Sequence, residues 1–209
     1  MDNYVIAISR GYGSGGKYIA TKLAEKLKIP LLDRELLKMA SMESGISEEI
    51  FNLSDEKIRK KLFTNYSRKL YQGGVLSPED SRFTSDINLF NYQAKVLLNM
   101  SRKESFVVLG RAGFYILRNM PNVISINVQA PMEDCVESVM NREGLSMKDA
   151  AKKVKSINRY RDDYIKAYTG LPWWDMSYYD LALNTSRLDR DQCVDMITDF
   201  AGRKLGIQL

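Results

Sequence analysis

The stretch that most restricts this chain is Ser9-Arg10-Gly11-Tyr12-Gly13-Ser14-Gly15-Gly16-Lys17-Tyr18, a glycine loop between an apolar run and a helical pattern. Before it, Tyr4 to Ser9 (YVIAIS) reads as a strand buried on both faces of a parallel sheet. After it, Ile19, Leu23, Ala24 and Leu27 recur at helical spacing until Pro30. Strand, loop and helix in that order aim the loop N–H groups and the first helical turn at one point, and such a point holds an anion. Four glycines within six residues weigh against a simple packing turn.

Two fingerprints overlap here. Gly11-x-Gly13-x-x-Gly16 is the dinucleotide pattern, and Asp33, 22 positions after Gly11, stands near where an acid would meet a ribose hydroxyl. Gly11-x-x-x-x-Gly16-Lys17 is most of a phosphate loop, with Tyr18 where Ser or Thr is usual. Lys17 favours the second, because an ammonium there reaches β- and γ-phosphate oxygens, whereas amides alone suffice for a pyrophosphate bridge. A reductase of the short-chain type would also need Tyr-x-x-x-Lys near the ligand edge, and that spacing occurs only at Tyr18 and Lys22, inside the first helix.

Leu31-Leu32-Asp33, Phe106 to Leu109, Val123 to Val128 and Asp180 to Leu183 read as further strands separated by helical stretches. The alternation implies an α/β parallel sheet with right-handed crossovers and ligands at the carboxyl ends of its strands. From about Ser44 to Asp86 a polar, charged stretch reads as a helical insertion, with helix starts at Ser77-Pro78 and Thr84-Ser85. From about Asn141 to Tyr179 a second interruption carries a helix from Met147 to Tyr168, followed by the breakers Thr169-Gly170-Leu171-Pro172. With 209 residues, the chain suits one core with a mobile appendage.

Histidine is absent, which excludes Ser-His and Cys-His nucleophiles and His-based zinc sites. The two cysteines, Cys135 and Cys193, fall in separate helical stretches and suit a reducing compartment. There is no leader-like start and no apolar run long enough to span a bilayer, so the expected location is cytoplasmic. A net charge of +5 fits nucleic acid, an acidic membrane or small phosphorylated ligands, and alone selects none of them. The basic cluster from Lys57 to Lys69 is read as a solvated helical face rather than a nucleic-acid surface. The pattern sets no oligomeric state.

Arginines stand where phosphates would lie. Arg111 follows FVVLG at the ligand edge, and its planar fork suits bidentate phosphate contact. In the helix from Met147 to Tyr168, Arg161 falls near the centre of the apolar stripe, so its charge needs a partner, while Arg159 projects outward toward Asp163. Arg142 ends the helix that begins near Pro131, where it would either complement the helix dipole or serve the site. Asp33 and Arg34 close the second strand, Asp33 as helix cap, metal-water ligand or acceptor ligand, and Arg34 as a second phosphate contact.

Taken together, GYGSGGKY, LLDRELL, VVLGRAG, VQAPMEDCVESVMNRE, RYRDDYIKAYTG and YYDLALNTSRL resemble the cytidylate kinase-like family across nearly the whole chain. The resemblance implies an adenylate-kinase-like P-loop fold of five parallel strands. Its core would be residues 1–43, 101–141 and 171–209, with a monophosphate-binding insertion at 44–100 and a lid at 142–170. It implies ATP phosphates held by Gly11, Gly13, Ser14, Gly15, Gly16, Lys17 and Tyr18, with Asn184, Thr185 and Ser186 beside the adenine. Lys17, Arg111, Arg142 and Arg161 would be catalytic, and Asp33, Arg34, Arg111 and Asp162 would meet the acceptor, a nucleoside monophosphate such as CMP or dCMP. In-line transfer of this kind needs positioning and charge neutralisation and no histidine.

Six positions depart from the family pattern. Tyr18 leaves Ser14 or water to hold Mg2+; Ala112 replaces an acid that helps read cytosine; and Tyr164, Ile165, Lys166 and Tyr168 stand where further lid arginines occur. The rival readings are a phosphate-loop module that binds nucleotide or nucleic acid without turnover, and a nicotinamide-dependent reductase.

Overall fold

Residues 3–60 and 73–207 are described by this computed structural model, with side chains left aside for residues 56–60. The strands are β1 (Val5–Arg10), β2 (Leu31–Leu32), β3 (Phe106–Leu109), β4 (Val123–Gln129) and β5 (Leu181–Asn184). They form one five-stranded sheet in the order β2-β3-β1-β4-β5, with every pairing parallel. β1 is central, with Val5 opposite Phe106 on one side and Val123 on the other.

The strands alternate between two cores, as a period of two requires. Ile6 and Ile8 face helices α1 (Gly16–Leu27) and α8 (Arg190–Leu205), where they pack with Ile19, Leu23 and Ile197. Val5 and Ala7 face the opposite layer of α2 (Glu35–Ser44), α3 (Glu48–Lys60), α4 (Asp86–Met100) and α5 (Gly113–Ile116), with Phe51, Phe90 and Leu97 among its filled positions. Burial on both faces is why YVIAIS shows no polar alternation.

Helices α6 (Met132–Glu143) and α7 (Met147–Thr169) form a separate small core of Val136, Val139, Ala150 and Val154, packed against Tyr12 of the glycine loop. The Ser146 side chain caps α7 by accepting from the Asp149 N–H, and Gly170 in the left-handed region ends it. Asp189 and Gln192 close α8 with a capping box. Together these caps place the start of α8 and the length of α7 beside the glycine loop.

The predicted elements are present with local shifts. Ser85 is the N-cap of α4, but Ser77-Pro78 opens a turn rather than a helix. The fifth strand starts at Leu181, because the Asp180 carboxylate is drawn aside by the Ser125 N–H at 2.8 Å. Cys135 and Cys193 are both buried and free. Of the basic cluster, Lys57, Arg59 and Lys60 lie on α3, while Lys61, Arg68 and Lys69 lie outside the described residues. No described helix is long and apolar enough to cross a membrane.

Candidate active site

β1 delivers the chain into the glycine loop at Arg10, whose side chain runs beneath the loop; a Cβ on Gly16 or on Gly110 would collide with it. Gly13, at φ 92, passes so close to the main chain of Cys135 on α6 that no larger residue fits. Gly15, at φ 79, precedes α1 with no side-chain cap, which leaves the first N–H groups of the helix open to an anion.

Lys17 emerges at the loop mouth with 75% of its side chain exposed, and its Nζ stands 3.5 Å from Asp33 Oδ2. Pairing with an ammonium turns Asp33 away from the ribose role required by the dinucleotide reading.

Two loop hydroxyls do not face the ligand space. Ser14 is buried, and its one proton is shared between the carbonyls of Gly11 at 2.9 Å and Val128 at 3.0 Å. This corrects the expectation that Ser14 holds a metal: the oxygen ties the loop to β4. The Tyr18 hydroxyl donates outward to Asp191 Oδ1 at 3.0 Å. Thr185, at the end of β5, donates to the Ser14 carbonyl at 2.9 Å and so supports the loop from behind, while exposed Asn184 accepts from Ser186.

Tyr12 fastens α6 and α7 to this loop. Its N–H donates to Asn158 Oδ1 at 2.8 Å, and its hydroxyl donates to Glu143 Oε1 at 2.6 Å. The guanidinium groups of Arg142 and Arg161 lie 5.2 Å and 5.7 Å from the centre of its ring. Arg142 and Lys153 also converge on Glu143, and these two with Tyr12 hold its carboxyl down to about 2.

Arg161 donates to the Arg10 carbonyl at 2.8 Å. Neither Arg10 nor Arg161 forms a salt bridge among the described residues. Burial, reinforced by Arg10, pulls Arg161 down to about 9; burial, opposed by Asp33 and reinforced by Arg111, pulls Arg10 down to about 10. Guanidinium groups still keep their protons at neutral pH, and two neighbouring cations without a carboxylate partner favour an anion between them.

Arg111 is set differently. Gly110, Arg111 and Ala112 are all left-handed, at φ 80, 53 and 54, a conformation costing roughly 1–2 kcal/mol for each non-glycine residue and persisting only where surroundings impose it. Asp55 of α3 pairs with Arg111 at this turn, and the two side chains are only 18% and 16% exposed. Burial works against the Arg111 charge, but Asp55 and the nearby tyrosines outweigh it and raise its pKa.

Two cavities result. An open cleft of about 890 Å³ runs over the loop between Lys17, Arg142 and Arg190. An inner cavity of about 210 Å³ is lined by Asp33, Asp55, Arg111, Tyr164 and Trp173. Arg10 and Arg161 belong to both.

Of the residues expected at the site, Lys17, Arg142 and Arg161 meet at the open cleft, and Asp33 and Arg111 at the inner cavity. Arg34 is exposed and lines neither cavity; Asp162 pairs with Lys166 at 2.5 Å and lines neither. Sequence reasoning missed Tyr12, Asp55, Asn158, Tyr164 and Arg190. Tyr12 carried a local signal by its place inside the glycine loop, and Tyr164 stood out only as a departure from the lid pattern.

The family model of the cytidylate kinase-like family matches residues 5–187. Cytidylate kinase of Pyrococcus horikoshii is 26% identical over 188 residues, covering 89% of this chain and 82% of that protein. Uronate isomerase of Corynebacterium glutamicum is 34% identical over 99 residues, 47% of this chain, and this chain spans only 19% of that protein. A crystal structure of an uncharacterized protein from Eubacterium ventriosum superposes with a TM-score of 0.69 at 28% identity, covering 95% of this chain and 98% of that one. The match across nearly the whole sheet and glycine loop decides between the two fingerprints of the loop, and the chain belongs to the cytidylate kinase-like family.

Proposed function

We propose that this protein transfers the γ-phosphoryl group of ATP to a nucleoside monophosphate, with CMP or dCMP the first acceptor to test. One observation carries the proposal: an open cleft over a phosphate loop and an inner cavity share Arg10 and Arg161, two half-buried cations without a carboxylate partner among the described residues. A group passing from one cavity to the other lies between those guanidiniums, where transferring phosphoryl oxygens gain most from fixed charge.

On this reading the loop amides from Gly11 to Gly16 and the start of α1 hold the ATP phosphates, and Lys17 neutralises the β- and γ-oxygens. Arg142 closes the cleft over the donor, with residues 142–170 as the lid and residues 44–100 as the acceptor-binding insertion. Tyr12 couples lid to loop through Asn158 and Glu143. The inner cavity falls below the roughly 300–1,000 Å³ of ordinary ligand sites, so an acceptor nucleotide enters as α3 draws back from α7. Closure afterwards keeps water from becoming the acceptor.

Asp33 is the carboxylate beside the loop that would hold Mg2+, directly or through water, since magnesium keeps several waters and takes one or two carboxylates plus phosphate. When bound with ATP, the ion would neutralise the developing charge on the β- and γ-phosphates.

The test is ADP formation from ATP and Mg2+ with CMP, dCMP, UMP and AMP. A monophosphate-dependent rate at least tenfold over ATP alone is expected, and no acceptor-dependent rate with any of them overturns the proposal. A second reading, nucleotide binding without turnover, is favoured by one specific observation: the Ser14 and Tyr18 hydroxyls are both committed away from the ligand space. Thermal stabilisation by ATP without ADP release would select it.

A further inference from the structure

The inner cavity is lined by a tyrosine whose buried phenol proton finds no acceptor among the described residues. Tyr164 of α7 is 6% exposed, and its hydroxyl has no hydrogen-bond partner among the described residues. Contacts with Phe90, Tyr160 and Tyr168 fix the ring, so the hydroxyl is not turned out to water. Its charged neighbours are Asp55 and Arg111. A guanidinium only donates, so beside Arg111 the phenol proton still requires an acceptor. Burial, then Asp55, pushes the phenol pKa far up, which makes it a fixed donor at any ordinary pH. Asp55 meets Arg111 through Oδ2, and its Oδ1 accepts no hydrogen bond from the described residues.

We infer that Tyr164 and Asp55 are specificity-determining residues for the acceptor, the phenol donating to and Asp55 Oδ1 accepting from adjacent atoms on an uncharged edge of that molecule. The inference rests on the assignment of the inner cavity to the acceptor. It also reassigns Arg111. Already neutralised by Asp55, Arg111 holds the cavity wall in place, and the acceptor phosphate falls to Arg10 and Arg161. A cytidine nucleotide presents such an edge twice: the ring nitrogen beside the exocyclic amine of the base, and the neighbouring hydroxyls of the ribose.

Tyr164→Phe is the test variant, because it keeps the aromatic packing and removes only the hydroxyl. Steady-state kinetics and titration calorimetry with CMP, UMP, dCMP and ribose 5-phosphate, at fixed ATP, read the effect. The KM for ATP and the melting temperature are expected to hold, while kcat/KM for the preferred acceptor falls about tenfold, the size of one lost hydrogen bond of discrimination. If the CMP/UMP preference narrows, the edge read is on the base; if the CMP/dCMP preference narrows, it is on the sugar. Asp55→Asn should move the same preference in the same direction. Equal changes for all four compounds, or none, overturn the inference and leave phosphoryl transfer standing. Wild-type protein that neither binds nor phosphorylates any of the four overturns the acceptor assignment and the inference with it.

Discussion

On one side of Arg161 lies the glycine-loop cleft, where Lys17 keeps 75% of its side chain in solvent; on the other lies the inner cavity, where Arg111 and Asp55 keep 16% and 18%. The same kind of charge therefore has two different relations to the fold. A solvated ammonium contributes little to stability and acts when a ligand arrives, since exposed pairs in water are weak. The Arg111 guanidinium, enclosed with Asp55, is paired before any ligand arrives, so the inner cavity ties recognition to stability. The contrast teaches that a solvated group such as Lys17 should alter activity alone, whereas an enclosed pair such as Arg111 and Asp55 should alter activity and folding together.

Lys17→Ala offers the largest effect and the cleanest test of that contrast. A loss of about 10³-fold in kcat is expected, with no measurable change in urea midpoint. A large fall in stability would break the comparison.

Arg161→Ala should lose about 10²-fold in kcat/KM and raise KM for ATP and for the acceptor together, because Arg161 borders both cavities. Initial rates with each substrate varied in turn read this, and a change confined to one substrate would mean that the cavities do not meet at Arg161.

Arg111→Leu should cost about 2 kcal/mol in urea unfolding, less than a fully buried pair, since Asp55 is left inside without its cation. Arg111→Leu combined with Asp55→Leu should recover part of the loss. Equal loss in both variants would detach the pair from stability and erase the distinction between the two sides.

Glu143→Gln is the mildest change and sharpens the comparison from the cleft side. Its folded pKa of about 2 lies below the ordinary 4.5, so its contribution is present above pH 4.5 and is lost as pH falls through about 2. Melting curves of variant and wild type should therefore differ at neutral pH and converge toward pH 2. A gap that stays constant would remove Glu143 from the Tyr12 junction.

Much of the fold was legible because its signals are local. Apolar runs such as FVVL and VISINV have no polar alternation, and the α7 stripe repeats at helical spacing over a long stretch. Asp180 misled the strand boundary through a long-range bond to Ser125, and Ser77-Pro78 misled because a turn uses the same residues as a helix start. The site was legible in parts. The glycines and Lys17 announce themselves by spacing, and Arg161 by a charge inside an apolar stripe. Arg34 and Asp162 lie outside both cavities, because proximity in sequence to a strand end or a lid motif does not fix which way a side chain points. Asp55 gave no signal and Tyr164 only that of a departure from the lid pattern, since an ordinary acid and an ordinary aromatic on helices acquire meaning only from what lies across the cavity.

The order of residues alone determined the strand, loop and helix that make an anion site, because backbone amides in a glycine turn need no distant partner to converge. Only the tertiary structure decided how that site is completed. It turned the Ser14 hydroxyl into the sheet, joined Asp55 to Arg111 across 56 positions of chain, and brought Arg161 onto the Arg10 carbonyl across 151. Those choices depend on how helices pack over the sheet, and packing is settled by the summed burial of whole faces rather than by any short run of residues.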